Sequence, residues 1–337
     1  MTWFAWRGQR LQLLVCVGVV AILATVVAIT GAAAHSAHLA LLHACGPGGT
    51  QAACNEASDR LSSVDQWRFA GYVALLVLPG VLGLVLGTPL VAREIEHGTN
   101  RLAWTQSIRR TRWLEIKLLL AGLVIVAIVG GLDLLTAQWG NWVGNGPRIA
   151  PEGFSVNGFV DVGYSLFAFM LGAALGSVIR RTGWAFAAGV PLFVGFRFWV
   201  MALRPHLAPL ETTSAGAPHQ VSGSVSGGFS SASQPPAGWI INSGYVPIGR
   251  NSPGPGQNWN TGLNKLYSSL GRCAGRNGQI TNAGYQRCVT QLRLHWVTQY
   301  QPASHFWALQ SAETAVFVGA GLVLCALTVL SVSHWRT

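Results

Sequence analysis

The chain has 337 residues, of which 50% are hydrophobic and only 10% charged, and its mean hydropathy is +0.39. This composition excludes a soluble globular protein and predicts an integral membrane protein. The formal net charge of +11 does not indicate a nucleic-acid partner, because the basic residues gather at the edges of apolar segments and no nucleic-acid recognition motif accompanies them.

Apolar runs long enough to cross a bilayer occur six times along the chain. They lie at residues 11–33, 69–92, 116–137, 159–179, 184–203 and 312–332. Basic residues concentrate on one side of these runs, which predicts that both termini are cytoplasmic. We therefore predict an all-α integral membrane protein with six transmembrane helices, multi-pass in the lipid bilayer of the plasma membrane.

The segments around the runs give the predicted domain organisation. Residues 1–10 mix tryptophan with arginine and predict an interfacial helix. Residues 11–203 hold the first five transmembrane helices and include a charged cytoplasmic segment at 93–115. The polar region at 204–307 is predicted to be extracellular, with a flexible first half and a pair of helices in its second half. Residues 308–337 hold the sixth helix and a cytoplasmic tail.

Glycines spaced four residues apart occur in two of the predicted spans. Gly83 and Gly87 lie in the second span, and Gly172 and Gly176 in the fourth. Such pairs let another helix approach closely, so both spans are candidates for close helix packing.

Two pairs of cysteines lie in the segments predicted to be outside. Cys45 with Cys54, and Cys273 with Cys288, are expected to form disulfides in an oxidising compartment. Free thiols remain the alternative, since spacing alone does not prove bridging. Neither pair has the spacing of a metal site, and we expect no bound metal.

Two charged residues fall inside the predicted spans at similar depth. We predict that Asp133 and Arg197 form an intramembrane charge pair, because such charges are tolerated mainly when they meet a partner. The alternative is that Arg197 extends to the outer surface.

No catalytic or nucleotide-binding motif is present in the sequence. The chain lacks a P-loop, a Rossmann fingerprint, a zinc-protease motif and a nucleophile turn, so we predict no catalytic residue, no enzyme activity and no cofactor in this chain.

The charged segment between the second and third spans is too long for a simple turn. It combines apolar anchors with charges and a helix start after Gly98 and Thr99, which suits docking of a cytoplasmic subunit. The alternative is a solvated loop that only sets topology. The candidate docking residues are Arg93, Glu94, Glu96, Gly98, Thr99, Arg101, Trp104, Arg109 and Arg110.

Two stretches carry a resemblance to a known family. The first runs from Arg93 to Lys117 and contains an acidic pair before Gly98-Thr99, then Trp104-Thr105-Gln106-Ser107 and a basic run before Trp113. The second is Tyr300-Gln301-Pro302-Ala303-Ser304-His305-Phe306-Trp307, just before the last span. On these residues the chain resembles an ABC-2 type transporter permease, particularly the actinobacterial permeases of that group.

The resemblance implies that residues 93–112 include a coupling helix that docks on a separate ATPase subunit. It further implies two permease chains, expected to be identical, and two ATPase subunits, with ATP and magnesium bound in the ATPase. The polar region at 204–307 departs from the short re-entrant hairpin of many such permeases, which leaves the route of the substrate open.

The function expected from these features is export of an apolar or amphipathic compound, such as an antibiotic, lipid or peptide. The candidate pathway residues are Phe193, Phe196 and Trp199, unless these aromatic side chains face lipid. One rival is a proton-coupled carrier that uses Asp133, Asp161 and Glu313. The other is a membrane sensor with an extracellular ligand domain.

Overall fold

The computed structural model describes the backbone of residues 2–96, 110–143, 148–155, 158–214, 238–253, 257–273 and 282–333. The chain divides into two compact units. The first consists of Met1–Arg148, Glu152–Arg204 and Ala308–Thr337, and the second of Ile149–Pro151 and Pro205–Trp307.

The described elements are mostly helical. They are α1 (Thr2–Ala44), α2 (Gln51–Glu96), α3 (Arg110–Val143), α4 (Pro151–Phe154), α5 (Val160–Ile179), α6 (Thr182–Leu203), β1 (Glu211–Thr213), β2 (Gly238–Pro247), α7 (Asn260–Cys273), α8 (Asn282–Gln291), β3 (Leu294–Pro302) and α9 (Phe306–Ser333). Among the described residues, six helices are long and apolar enough to cross a membrane, namely α1, α2, α3, α5, α6 and α9. The predicted six-span helical membrane fold is confirmed.

The first two helices form a hairpin longer than the apolar runs predict. The sequence predicted a polar loop at 34–67, but both helices continue through most of it and only a short turn joins them. Residues 51–67 contain neither glycine nor proline, the residues that most disfavour a helix. Their polar character therefore indicates a helix exposed to water and not a loop. The turn is closed by the predicted disulfide between Cys45 and Cys54, whose Cα atoms are 4.8 Å apart. Likewise, α1 runs without interruption through residue 10, where the interfacial helix was predicted to end.

The glycine pairs bring α2 and α5 into close contact. A Cβ atom at Gly87 would overlap the backbone of Phe169, and one at Gly176 would lie 2.6 Å from the carbonyl oxygen of Thr88. Gly83 and Gly172 meet the backbone of the opposite helix in the same way. Each helix therefore places its small residues against the other's backbone, which confirms the close packing predicted from the spacing.

The second unit contains a three-stranded antiparallel sheet in the order β1-β3-β2 and the two helices α7 and α8. The predicted helical pair is present, but the sequence did not predict the sheet. Apolar residues recur at helical spacing from Ala283 to Trp296, but α8 ends at Gln291, because Arg293 adopts a left-handed conformation with φ 52° and the chain then enters β3. Buried residues from both element types form one core, which consists of Tyr245, Leu266, Cys288, Val289 and Leu294.

The second predicted disulfide is described on one side only. Cys288 is buried and disulfide-bonded. The side chain of Cys273, at the end of α7, lies outside the described residues, as does the Gly/Ser-rich tract at 215–237.

Candidate coupling site and buried polar cluster

The predicted docking segment connects the end of α2 to the start of α3. Arg93 and Glu96 lie on the last turn of α2, where both side chains are exposed, and Arg110 is the first residue of α3. The side chains of Glu94 and Arg110 are not described. Five candidate docking residues lie outside the described residues altogether: Gly98, Thr99, Arg101, Trp104 and Arg109.

Glu96 joins the end of α2 to the beginning of α6. Its Oε1 atom accepts a hydrogen bond from the backbone N–H of Thr182 at 3.0 Å, and its Oε2 atom accepts one from the Thr182 hydroxyl at 2.8 Å. Thr182 is the first residue of α6, and the preceding Arg181 is extended and provides no side-chain cap. The first N–H groups of a helix lack partners within it, and its N-terminus favours negative charge. The carboxylate of Glu96 thus caps α6 from another helix.

The turn between α5 and α6 holds Thr182 next to α2. Arg180 adopts a left-handed conformation, with φ 58° and ψ 13°, and its N–H donates to the Gly176 carbonyl at 3.1 Å. Arg181 is then extended, so two residues reverse the chain. Because Gly176 packs against α2, the same helix positions both the turn and the Glu96 cap. The last turn of α2 and the first turn of α6 are therefore in direct contact.

A buried ion pair joins the opposite end of α6 to α9. The guanidinium of Arg204 donates from Nε to Glu313 Oε2 at 2.7 Å and from Nη2 to Glu313 Oε1 at 2.9 Å. The hydroxyl of Tyr164, on α5, donates to the same Oε1 atom. Arg204 is 2% exposed and Glu313 1%, so the pair is shielded from solvent. This two-point geometry is the strongest form of an arginine–carboxylate contact.

Gln310 lies one turn before Glu313 on α9 and ties that helix to the end of α4 and the start of α5. Its Nε2 donates to the Phe154 carbonyl at 2.6 Å, and its Oε1 accepts from the Val160 N–H at 3.0 Å. Gln310 is fully buried. The sequence analysis missed Gln310. The signal that could have found it is its spacing of three from Glu313, at the start of an apolar run.

The predicted pair of Asp133 with Arg197 does not form. Arg197 donates from Nη1 to the Leu76 carbonyl, and its guanidinium carbon lies 4.2 Å from the centre of the Tyr164 ring. The reason is that α6 packs against α2 and α5, so this side chain lies beside those helices and not beside α3. The carboxylate that interacts electrostatically with Arg197 is Asp161, on α5.

The three candidate pathway residues take two different positions. Phe193 is buried and its ring occupies the space left by Gly80 of α2. Phe196 is half-buried and stacks on Phe167 with ring centres 4.5 Å apart, while Trp199 is exposed. Phe196 and Trp199 line an open groove of about 660 Å³ formed by α5, α6 and α9. Its full lining is apolar: Phe167, Leu171, Pro191, Leu192, Gly195, Phe196, Trp199, Ala320, Val323 and Leu324.

Among the described residues, no group of three or more His, Cys, Asp or Glu side chains is arranged to hold a metal ion. Neither a curated protein nor a solved structure matches the chain. The model of the family described as ABC-2 membrane transporter related matches residues 17–204, which is more than half of the sequence and includes α2, α5, α6 and the predicted docking segment. With its six apolar helices, the chain therefore belongs to this family as a multi-pass transporter permease of the plasma membrane.

Proposed function

We propose that the chain is the transmembrane subunit of an ATP-driven exporter that moves an apolar or amphipathic compound across the plasma membrane. A separate ATPase, which binds ATP and magnesium, docks on residues 93–112. The complex contains two ATPase subunits and two copies of this permease chain. The observation that carries the proposal is the contact of Glu96 with Thr182, because it links the border of the docking segment to a helix that lines the apolar groove.

Coupling in this proposal follows a short mechanical path. Closure of the ATPase dimer displaces the docking segment and with it the last turn of α2. The carboxylate of Glu96 passes the displacement to the N-terminus of α6, which carries Phe196 and Trp199 at the groove. The free energy of ATP binding in the ATPase thereby favours one of two arrangements of the helices over the other, and this shift couples ATP binding to transport.

The lining of the groove supports the class of cargo. The ten residues that line it include three aromatic residues and one proline, and none of them is charged. Such a surface stabilises an apolar molecule by removing its surface from water and offers no partner for a fixed charge.

The test is purification of the chain from its native host in mild detergent, with identification of the proteins that co-purify. A stoichiometric P-loop ATPase is the expected result. Charge reversal at Arg101 and Arg109 should remove it, whereas Lys265→Glu, an exposed change in the second unit, should not. A chain that purifies alone, and binds no ATPase when neighbouring genes are co-expressed, contradicts the docking role.

Transport itself separates the exporter from a proton-driven carrier. In inverted vesicles, uptake of an apolar dye should stop when ATP is removed while the proton gradient is maintained. Uptake that follows the proton gradient without ATP would replace this proposal with the carrier. Tryptophan substitution at Gly195, in the groove lining, should reduce uptake if the groove is part of the pathway, and should leave uptake unchanged if the groove faces lipid.

A further inference from the structure

The charges of the second unit are almost all of one sign. From Pro205 to Trp307 the chain has a single acid, Glu211, and six basic residues, namely Arg250, Lys265, Arg272, Arg276, Arg287 and Arg293. Basic residues near the ends of spans orient a membrane protein, but charges within long loops contribute little to orientation. The positive charge of this unit is therefore not explained by topology, and it favours an anionic partner.

Two of these arginines lie on adjacent backbone segments where β2 ends and β3 begins. The backbone N–H of Ile248 donates to the Arg293 carbonyl at 2.8 Å, and the N–H of Arg250 donates to the Pro247 carbonyl at 3.1 Å. Gly249, with a φ of 90°, permits the turn between them. Both arginine side chains are exposed. Residues 247–250 together with Arg293 are called the basic turn below.

The acid of this unit lies far from the basic turn. Glu211, on β1, is paired with Tyr300 of β3 and accepts a hydrogen bond from its hydroxyl at 3.1 Å. Tyr300 lies seven residues beyond Arg293, which is about 23 Å along an extended strand. This separation exceeds the distance of about 8–10 Å over which exposed charges act at physiological salt. Glu211 therefore does not offset the charge of the basic turn.

The residues of the turn indicate the kind of anion. A guanidinium group binds phosphate oxygens with two parallel hydrogen bonds, and arginine supplies five of the six basic residues of the unit. The side chain of Ile248, next to both arginines, is 63% exposed. An exposed apolar side chain beside basic residues suits the boundary between phospholipid headgroups and acyl chains. A soluble phosphate polymer would offer no such environment for Ile248.

The second unit is joined to the membrane at both of its ends. Helix α6 ends at Leu203 and α9 begins at Phe306, so the chain enters the unit directly from one span and leaves it directly into another. This connection keeps the local concentration of lipid headgroups high, which favours even a weak contact. We propose that the basic turn binds the phosphate groups of anionic phospholipids in the bilayer that holds α6 and α9. This contact goes beyond ATP-driven export and requires no ATPase.

Hydrogen–deuterium exchange of the full chain in lipid nanodiscs tests the proposal. The wild type is compared in nanodiscs of phosphatidylcholine alone and in nanodiscs of phosphatidylcholine mixed equally with phosphatidylglycerol. Each arginine at an anionic surface favours binding about 5-fold, so two arginines should slow exchange at residues 248–250 and 293–294 by up to about 30-fold in the mixed bilayer. The slowing should diminish as salt is raised, because exposed charges are screened.

The double variant Arg250→Glu with Arg293→Glu should exchange equally in the two bilayers. The matched control is Lys265→Glu, an exposed change of the same charge on α7, which should keep the difference. Loss of the difference in Lys265→Glu overturns the proposal, because the attraction would then belong to the whole unit and not to the basic turn.

Two outcomes with the wild type also overturn the proposal, and neither depends on the folding of a variant. One is equal exchange of the basic turn in the two bilayers, which would show that anionic lipid is not its partner. The other is exchange that slows in phosphatidylcholine when soluble polyphosphate is added but does not slow with phosphatidylglycerol, since the partner would then be a soluble polyanion.

Discussion

Substitution of Glu96 by alanine should loosen the first turn of α6 while leaving the rest of the helix in place. The carboxylate accepts two hydrogen bonds from Thr182, one of them from a backbone N–H that has no partner within α6. Loss of a side-chain cap at a helix N-terminus costs about 0.5–2 kcal/mol, and Glu96 is exposed, so we take about 1–2 kcal/mol for both contacts together.

This free energy converts into a measurable rate of hydrogen exchange. A loss of about 1–2 kcal/mol raises the population of the opened turn by about 5- to 30-fold. Hydrogen–deuterium exchange of the purified protein should therefore accelerate by that factor at residues 182–185. Exchange in the middle of α5 should stay unchanged, because its packing against α2 does not involve Glu96.

Two further variants calibrate the result. Glu96→Gln keeps one acceptor oxygen for the N–H of Thr182, so its exchange rate should lie between those of the wild type and Glu96→Ala. Glu56→Ala, at the far end of α2, should exchange at residues 182–185 as the wild type does. If exchange at residues 182–185 is the same in Glu96→Ala as in the wild type, the contact does not hold α6, and the proposed coupling path fails with it. If the exchange changes but ATPase stimulation does not, the contact is structural only.

Two further pairs of variants test the glycine contacts and the buried ion pair. Gly87→Leu should abolish recovery of folded protein because the side chain would meet the backbone of α5, whereas Gly131→Leu on α3, where a Cβ atom meets nothing within 4 Å, should be tolerated; detergent size-exclusion chromatography distinguishes them. Glu313→Ala should lower the free energy of unfolding by about 3–5 kcal/mol because it leaves Arg204 buried without its partner, and Arg204→Met with Glu313→Leu should restore much of it, as measured by thermal unfolding.

The features that the sequence predicted correctly are those encoded by neighbouring residues. Apolar run length gave the six spans, a spacing of four gave the glycine contacts, and a separation of nine residues gave the disulfide of the first hairpin. The spans and the glycine contacts follow from rules that hold for any helix in a membrane, and the disulfide follows from two cysteines close together in a segment predicted to be outside.

The features that it missed depend on segments far apart in the chain. Arg204 and Glu313 are separated by 109 residues, and Glu96 and Thr182 by 86. The error over Arg197 has the same origin: its depth in the membrane follows from its position in α6, but its partner depends on which helices pack against that face. The rise per residue of a helix determines how deep a side chain lies in the membrane. The direction in which it points around the helix axis depends on which helices pack there.

The contacts between α2 and α5 also differ in kind from those that hold α6. Between α2 and α5 the glycines bring backbone against backbone, and such close contact resists sliding of one helix along the other. In α6 only Ala185, Gly189, Phe193 and Val200 are buried, and polar contacts hold it near both ends, at Thr182 and just beyond Leu203 at Arg204. Hydrogen bonds and ion pairs exchange partners more readily than interlocked backbones do. We therefore expect α6 to shift against the packed part of α2 and α5, while the last turn of α2, which lies beyond the glycine contacts, moves with the docking segment. A disulfide engineered between α2 and α5 should then leave transport intact, whereas one between α2 and α6 should stop it until it is reduced.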